Sequence, residues 1–89
     1  MLITLYGRAG CHICDETRAR LEALVGNPFD FDILEVDIEE DDALHQLYLE
    51  RIPVLEHDGV VLSELGASEA HLVKLIAGVA SMARDDNGD

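Results

Sequence analysis

The sequence predicts a single α/β domain in which helices cover a mixed four-stranded sheet. Three observations lead to this fold class. Short apolar runs alternate with segments of helical periodicity, an Asp58-Gly59 turn separates two of the apolar runs, and 89 residues leave room for one domain. The predicted order of elements is β-α-β-α-β-β-α, and the first two strands, joined through a helix, are expected to be parallel.

The N-terminal half supplies the first two strands and the first helix. Residues 2–6 are apolar and β-rich, which predicts a buried strand. A helix is expected from Cys11 to about Val25, because apolar residues recur there at helical spacing. Residues 29–38 alternate as a strand does, and the change of phase at Ile33-Leu34 indicates a bulge or a strand buried on both faces.

The C-terminal half supplies a short helix, a hairpin and a long helix. Acidic residues 39–42 precede the short helix, whose inner face is expected to be Leu44, Leu47 and Tyr48. That helix should end by residue 51, because Pro53 disfavours helix before it. Residues 54–57 and 60–62 form the hairpin. Ser68 is the expected N-cap of the last helix, whose core stripe is Leu72, Leu75, Ile76, Val79 and Met82. The domain is expected to span residues 1–83, followed by a polar tail at 84–89.

Charge and hydropathy restrict the partners and the location. The formal net charge is -13, with six Lys and Arg against 19 Asp and Glu. Binding to nucleic acid or to an anionic membrane is not expected, because both need clustered basic residues. The apolar runs are too short to cross a bilayer, and the first of them lacks a basic leader. We therefore expect a soluble, cytoplasmic protein, and we expect it to be a monomer. Lasting structural disulfides are rare in the cytoplasm.

Both cysteines of the chain stand in the motif Gly10-Cys11-His12-Ile13-Cys14, between a strand and a helix. A C-x-x-C pair in this setting indicates a redox-active dithiol first and half of a metal site second. The positive end of the helix favours a thiolate at Cys11. Cys14, one turn further, should be shielded, so Cys11 is predicted to attack and Cys14 to resolve. His12 either supports the thiolate by charge or is an exposed residue without effect.

Two other interpretations remain open at the level of sequence. Cys11, His12 and Cys14 could bind zinc or an iron–sulfur cluster, although one chain supplies few ligands for a closed site. The domain could also be an interaction module without chemistry. No metal-ligand spacing joins the remaining histidines, so we expect no metal site among His45, His57 and His71.

The dithiol motif, the segment Arg51-Ile52-Pro53-Val54 and the Asp58-Gly59 turn together resemble the thioredoxin fold, and most closely the small glutaredoxin-like proteins. The resemblance covers about residues 1–83. It implies a sheet in the order 2-1-3-4 and thiol–disulfide exchange in cell redox homeostasis. It also implies a cis bond between Ile52 and Pro53, beside the dithiol, where the Ile52 backbone would pair with a bound thiol peptide.

The resemblance further implies particular partners. Arg8 matches the basic residue, three before the first cysteine, that glutaredoxins use to bind glutathione. Glutathione is thus the expected co-substrate, with no resident cofactor. Protein or small disulfides are the expected substrates, and glutathione or a thioredoxin-type protein the reductant. The chain departs from the family pattern at His12-Ile13, where Pro-Tyr is typical, and at residues 66–69, which match a Gly-Gly-Asp element only in part.

Overall fold

The computed structural model describes residues 1–27 and 29–85, with side chains described as far as Ser81. Its elements follow the predicted order, with one added 3-10 turn. They are β1 (Leu2–Gly7), α1 (His12–Leu24), β2 (Asp32–Asp37), the 3-10 turn (Ile38–Glu40), α2 (Asp42–Tyr48), β3 (Val54–His57), β4 (Val60–Ser63) and α3 (Glu69–Asp85).

The four strands form one sheet in the order β2-β1-β3-β4. β1 pairs parallel with β2, from Leu2 opposite Asp32 to Gly7 opposite Asp37. β3 runs antiparallel to β1 and to β4. The predicted fold class, mixed sheet and strand order are thereby confirmed, and β1 occupies the centre with its carboxyl end leading directly into the Cys11 segment.

Two apolar clusters lie on opposite faces of the sheet, because successive strand residues point to opposite sides. On β1, Ile3 and Leu5 belong to the larger cluster, whereas Tyr6 packs against the smaller one. The larger cluster is made by α1, α3 and the sheet: Ile3, Leu5, Leu21, Leu24, Phe31, Leu55, Ala67, Leu72 and Ile76. The smaller cluster joins α2 to the sheet through Ile38, Tyr48 and Val54. Burying a large apolar side chain contributes roughly 1.5–3 kcal/mol, so α1 is held firmly where it presents its N-terminus.

The expectation for the second strand is wrong in two respects. β2 starts at Asp32, and its register with β1 is continuous, so it contains no bulge. It is also an edge strand with an exposed Leu34, and therefore is not buried on both faces. The change of phase in the sequence arises because Phe29, Phe31 and Ile33 pack with the larger cluster, whereas Ile38 belongs to the smaller cluster on the other face. The irregularity in this sheet lies between Leu55 and Glu56, where β3 pairs with β4.

Helix faces and ends differ from expectation in detail. Leu47 is 53% exposed, because the short α2 contacts the sheet only along Leu44 and Tyr48, which are spaced i,i+4. Val25 is the C-cap of α1 and is likewise exposed. Ser68 is confirmed as a capping residue, since its hydroxyl accepts from the His71 N–H at 3.2 Å.

α3 continues to Asp85, two residues past the expected domain end at 83. Residues 86–89 of the expected tail, Pro28 of the first turn and the Met82 side chain lie outside what the structure describes.

The predicted hairpin is confirmed at residues 58–59. Asp58 and Gly59 both have positive φ, 50° and 81°. This is the backbone of a tight two-residue hairpin turn whose twist matches that of the strands. Among the described residues, no helix is long and apolar enough to cross a bilayer.

Candidate active site

Cys11 and Cys14 meet at the N-terminus of α1. They are joined by a disulfide, with Cα atoms 5.2 Å apart. Cys11 is the N-cap of α1, with extended backbone (φ -89°, ψ 105°), and its sulfur accepts a hydrogen bond from the Cys14 N–H at 3.1 Å. The first N–H groups of a helix have no partner within the helix. The Cys11 sulfur therefore occupies the place of a capping oxygen, at the positive end of the helix.

The two cysteines differ in their exposure to solvent. Cys11 is partly exposed, whereas Cys14 is only 6% exposed. Gly7, at the end of β1, makes the burial of Cys14 possible: a Cβ at position 7 would lie 3.1 Å from the Cys14 sulfur. The sequence reasoning missed this role for Gly7, although a glycine inside an apolar strand pattern often marks such a close approach.

The loop after β4 brings Gly66 against the dithiol helix and the proline. The Ile52-Pro53 peptide bond is cis. Gly66 has φ +99°, and a Cβ built there would lie 2.9 Å from Ile13 Cγ2 and 4.0 Å from Pro53 Cγ. Ile13 and Pro53 thus both lie beside Gly66. Pro53, which the resemblance places beside the dithiol, therefore lies near α1, with Gly66 next to both. From the sequence, Gly66 was considered only as part of a glutathione-binding element.

His12 is turned toward its own helix. Its side chain is 85% exposed, and Nε2 lies 2.8 Å from Glu16 Oε2, one turn further along α1. When His12 is protonated, Glu16 therefore offsets its charge. Glu16 also lies 3.9 Å from an Arg20 Nη, which draws this carboxylate into a chain of ion pairs along the exposed face of α1.

Two arginines close in sequence to the predicted site residues are both paired with glutamates. Arg8 Nη1 lies 3.8 Å from Glu39 Oε2. Arg51, which precedes Ile52, binds Glu64 through Nε at 3.0 Å and through Nη2. Hydrogen bonding to Arg51 holds the pKa of Glu64 below its ordinary value, and the same bond raises the pKa of Arg51. This ion pair connects the segment before Pro53 to the segment before Gly66. The Leu65 N–H connects the same two segments by donating to the Arg51 carbonyl oxygen.

A groove of about 350 Å³ opens beside Cys14, between α1 and the β2 edge of the sheet. Leu5, Gly7 and Cys14 contribute to its lining, together with residues of opposite charge. Two of these are basic, Arg8 and Arg18, and four are acidic: Asp15, Glu35, Asp37 and Glu40. The sequence reasoning missed the groove, because its residues are spread over four segments that only the parallel pairing of β1 and β2 brings together.

Metal ligands are not clustered at the dithiol. Within residues 1–27 and 29–85, no three His, Cys, Asp or Glu side chains are arranged to hold a metal ion. The two sulfurs are bonded to each other and the His12 ring is paired with Glu16.

Solved structures with a similar fold include two bacterial proteins. One is target protein XcR50 from X. campestris, 30% identical, with a TM-score of 0.69 over 85% of this chain and 96% of that one. The other is Ne2328 from Nitrosomonas europaea, 28% identical, with a TM-score of 0.67 over 83% of this chain and 88% of that one.

A thioredoxin shows the same fold at lower identity. Thioredoxin 1 from Thermosipho africanus is 17% identical, with a TM-score of 0.66 over 94% of this chain and 99% of that one. At this identity the likeness concerns the fold alone. No protein of curated function matches the sequence significantly.

The family assignment follows from a match along most of the chain. Residues 2–77 match the model of the glutaredoxin-like domain, DUF836. That span contains the dithiol, the cis-proline segment and the Gly66 loop, and the strand order agrees with the thioredoxin fold of the structural neighbours. The chain belongs to the glutaredoxin-like domain family and has a thioredoxin fold, with a Cys11–Cys14 pair that fits a redox role.

Proposed function

We propose that the protein is a thiol–disulfide oxidoreductase that uses Cys11 as the attacking thiol and Cys14 as the resolving thiol. One observation carries the proposal: the two cysteines are bonded across the first turn of α1, and Cys11 is partly exposed whereas Cys14 is buried. A mixed disulfide forms by attack of a thiolate on an accessible disulfide, and a nearby second thiol then releases the product.

The helix start supports Cys11 as the nucleophile. In the reduced protein the Cys14 N–H can donate to a Cys11 thiolate as it does to the bonded sulfur. The unpartnered N–H groups and the helix dipole favour negative charge at the same point. Asp15, in the first turn, and Glu16, the next residue, oppose this effect, while His12 in its protonated form partly offsets them. Cys14 is buried from solvent and from large substrates, so it acts only after Cys11 has reacted.

Protein and small-molecule disulfides are the substrates that we propose. For the reductant, a thioredoxin-type protein dithiol suits the site better than glutathione. The basic residue that would hold a glutathione carboxylate, Arg8, is already paired with Glu39. Ile52 and Pro53, beside the dithiol helix, would receive the substrate backbone through the Ile52 carbonyl oxygen, because the Ile52 N–H already donates to the Tyr48 carbonyl oxygen at 3.0 Å.

The proposal is tested by the redox state of the dithiol in graded mixtures of 2-mercaptoethanol and its disulfide, both uncharged. Samples are quenched with acid, and intact masses are measured. The expected result is a reversible loss of two hydrogens in the wild type and no such loss in Cys11→Ser or Cys14→Ser. Thiols that stay reduced across the whole range, in folded wild-type protein, would refute the proposed function.

A further inference from the structure

The basic side chains around the dithiol are neutralised by ion pairs. Besides Arg8 with Glu39 and Arg51 with Glu64, Arg18 lies 3.6 Å from Asp15 and 3.4 Å from Glu35. The guanidinium groups that could attract an anionic substrate to this end of the molecule are therefore already engaged with carboxylates.

Some carboxylates of the groove remain without a cationic partner. Among the side chains that the structure describes, neither Asp37 nor Glu40 forms an ion pair. Asp37 Oδ1 accepts from the Glu39 N–H at 2.9 Å, so the carboxylate is held in place at the mouth of the 3-10 turn. With four carboxylates and two guanidinium groups in its lining, the groove beside Cys14 has a negative potential. The overall charge of -13 strengthens that potential.

We propose that this groove selects the substrate by charge: it receives an ammonium or guanidinium group carried close to the substrate disulfide. The inference rests on the proposed function and names the substrate class of the same site. The groove is lined by Cys14, whose sulfur is bonded to that of Cys11. A concave, charged surface this close to the dithiol raises the local concentration of a substrate of opposite charge and lowers that of a like-charged one. Disulfides with anionic arms, glutathione disulfide among them, are then poor substrates.

The reaction is an ordinary two-step exchange. The Cys11 thiol loses its proton, and the thiolate bonds to one sulfur of the substrate RS–SR, whose S–S bond breaks to release RS⁻. The Cys14 thiol then loses its proton and bonds to Cys11, which releases the second RS⁻. The two protons convert the leaving groups into two RSH. The substrate is reduced by two electrons, and the protein dithiol is oxidised to the disulfide. The cationic arm of R acts only by occupying the groove.

The test compares three small disulfides with the same two-carbon spacing between sulfur and end group. They are cystamine, a dication; bis(2-hydroxyethyl) disulfide, which is neutral; and 3,3′-dithiodipropionate, a dianion. Each rate constant with reduced wild-type protein is divided by the rate constant of the same disulfide with dithiothreitol, because leaving-group basicity also changes the rate. We expect a normalised preference of about tenfold or more for the dication over the dianion at low ionic strength, decreasing as salt screens the charges.

Two charge-matched variants locate the effect. Asp37→Asn/Glu40→Gln removes two carboxylates from the groove, and asparagine keeps an oxygen for the Glu39 N–H. Asp30→Asn/Glu22→Gln is the control, because it also removes one aspartate and one glutamate carboxylate, but outside the groove. Asp30 lies just before β2, at the end of the sheet away from the dithiol, and Glu22 lies near the end of α1. The preference should decrease severalfold in the groove variant and much less in the control. Glu40→Gln alone serves as a second variant should the double substitution impair folding.

Two sources of the cationic group are separated by a further pair of substrates. Short peptides with an intrachain disulfide are prepared with lysine or with glutamate on each side. A preference for the lysine peptide assigns the groove to basic protein substrates; a preference seen with cystamine alone assigns it to small cationic disulfides.

The inference and the proposed function fail in different ways. Equal normalised rates for all three disulfides, or equal losses of preference in the groove variant and its control, would overturn the charge selection and leave the exchange reaction standing. A lack of reaction with the neutral disulfide would refute the exchange reaction itself.

Discussion

The Cys11 sulfur combines a structural role with its proposed chemical one, because it caps α1. In the reduced protein this cap depends on the acceptor at position 11 and not on the disulfide. We predict that reduced Cys11→Ala is less stable than reduced Cys11→Ser by about 0.5–2 kcal/mol, the usual effect of losing an N-cap acceptor. Urea unfolding under reducing conditions measures the difference. Equal stabilities of the two variants would show that the cap contributes nothing.

Thr17 is fully buried one turn beyond Cys14, and its hydroxyl has no hydrogen-bond partner among the described residues. A buried polar group without a partner costs about 1–3 kcal/mol. We therefore predict that Thr17→Val increases the free energy of unfolding, by about 1 kcal/mol. Thr17→Ser is the matched control: it keeps the hydroxyl and loses the methyl group, and it should destabilise. A valine variant less stable than the wild type would contradict this prediction.

Glu64 should titrate below its ordinary range, because Arg51 donates hydrogen bonds to it in the folded protein. A depressed folded-state pKa means that this pair stabilises the fold above the unfolded-state pKa, about 4.3 for glutamate, and that the contribution is lost as the pH falls through the lower, folded-state value. A carboxyl NMR titration should find the Glu64 pKa below the ordinary value for glutamate, and Arg51→Gln should raise it. An unchanged Glu64 pKa in Arg51→Gln would contradict the assigned cause.

At the scale of elements, the approach of the β4–α3 loop to α1 depends on Gly66. Alanine there would place a Cβ 2.9 Å from Ile13 Cγ2, at a φ that side chains rarely adopt. We predict that Gly66→Ala destabilises the protein by about 1–3 kcal/mol. Adding Ile13→Ala should recover part of the loss, because it removes the methyl group that is met first. A double-mutant cycle from urea unfolding measures this coupling. Purely additive effects would show that Gly66 and Ile13 do not contact each other as described.

Elements with a strong local signal were predictable from the sequence. The hairpin follows from Asp58-Gly59, since these residue types accept the positive φ that the turn requires. The N-terminus of α3 follows from Ser68, whose capping is a local interaction. The start of β2 was not predictable, because Phe29 and Phe31 continue the strand-like alternation while packing outside the strand. Which partner they pack against is a tertiary matter that alternation does not encode.

In the candidate site, too, the local features were predictable from the sequence and the contacts between elements were not. The dithiol and its placement at a helix start are local in sequence, and the structure agrees with them. The roles of Gly7 and Gly66 depend on distances between elements, to Cys14 and to Ile13 respectively. The partners of Arg8 and His12 also could not be read from the chain, because a basic residue near a motif does not reveal which carboxylate its side chain reaches.

At the scale of the whole molecule, the sheet, the helices and the surface charge serve one arrangement. The central strand β1 leads into the Cys11 segment, the larger core fixes α1 against the sheet, and the parallel edge strand β2 supplies the carboxylates of the groove. The negative charge is spread over the whole chain, yet next to Cys14 it lines a concave surface. A compact scaffold thereby exposes one sulfur, buries the other and presents a defined electrostatic surface beside them.

The central claim is that Cys11 forms the mixed disulfide and Cys14 resolves it. It is tested most directly by trapping: Cys11→Ser and Cys14→Ser are each exposed to bis(2-hydroxyethyl) disulfide, quenched with acid and mapped by peptide mass spectrometry. We predict rapid accumulation of an adduct on Cys11 in the Cys14→Ser variant, and slow or no modification of the buried Cys14 in Cys11→Ser. Equal rates of modification in the two folded variants, or faster modification of Cys14, would contradict the assignment of attacking and resolving thiols.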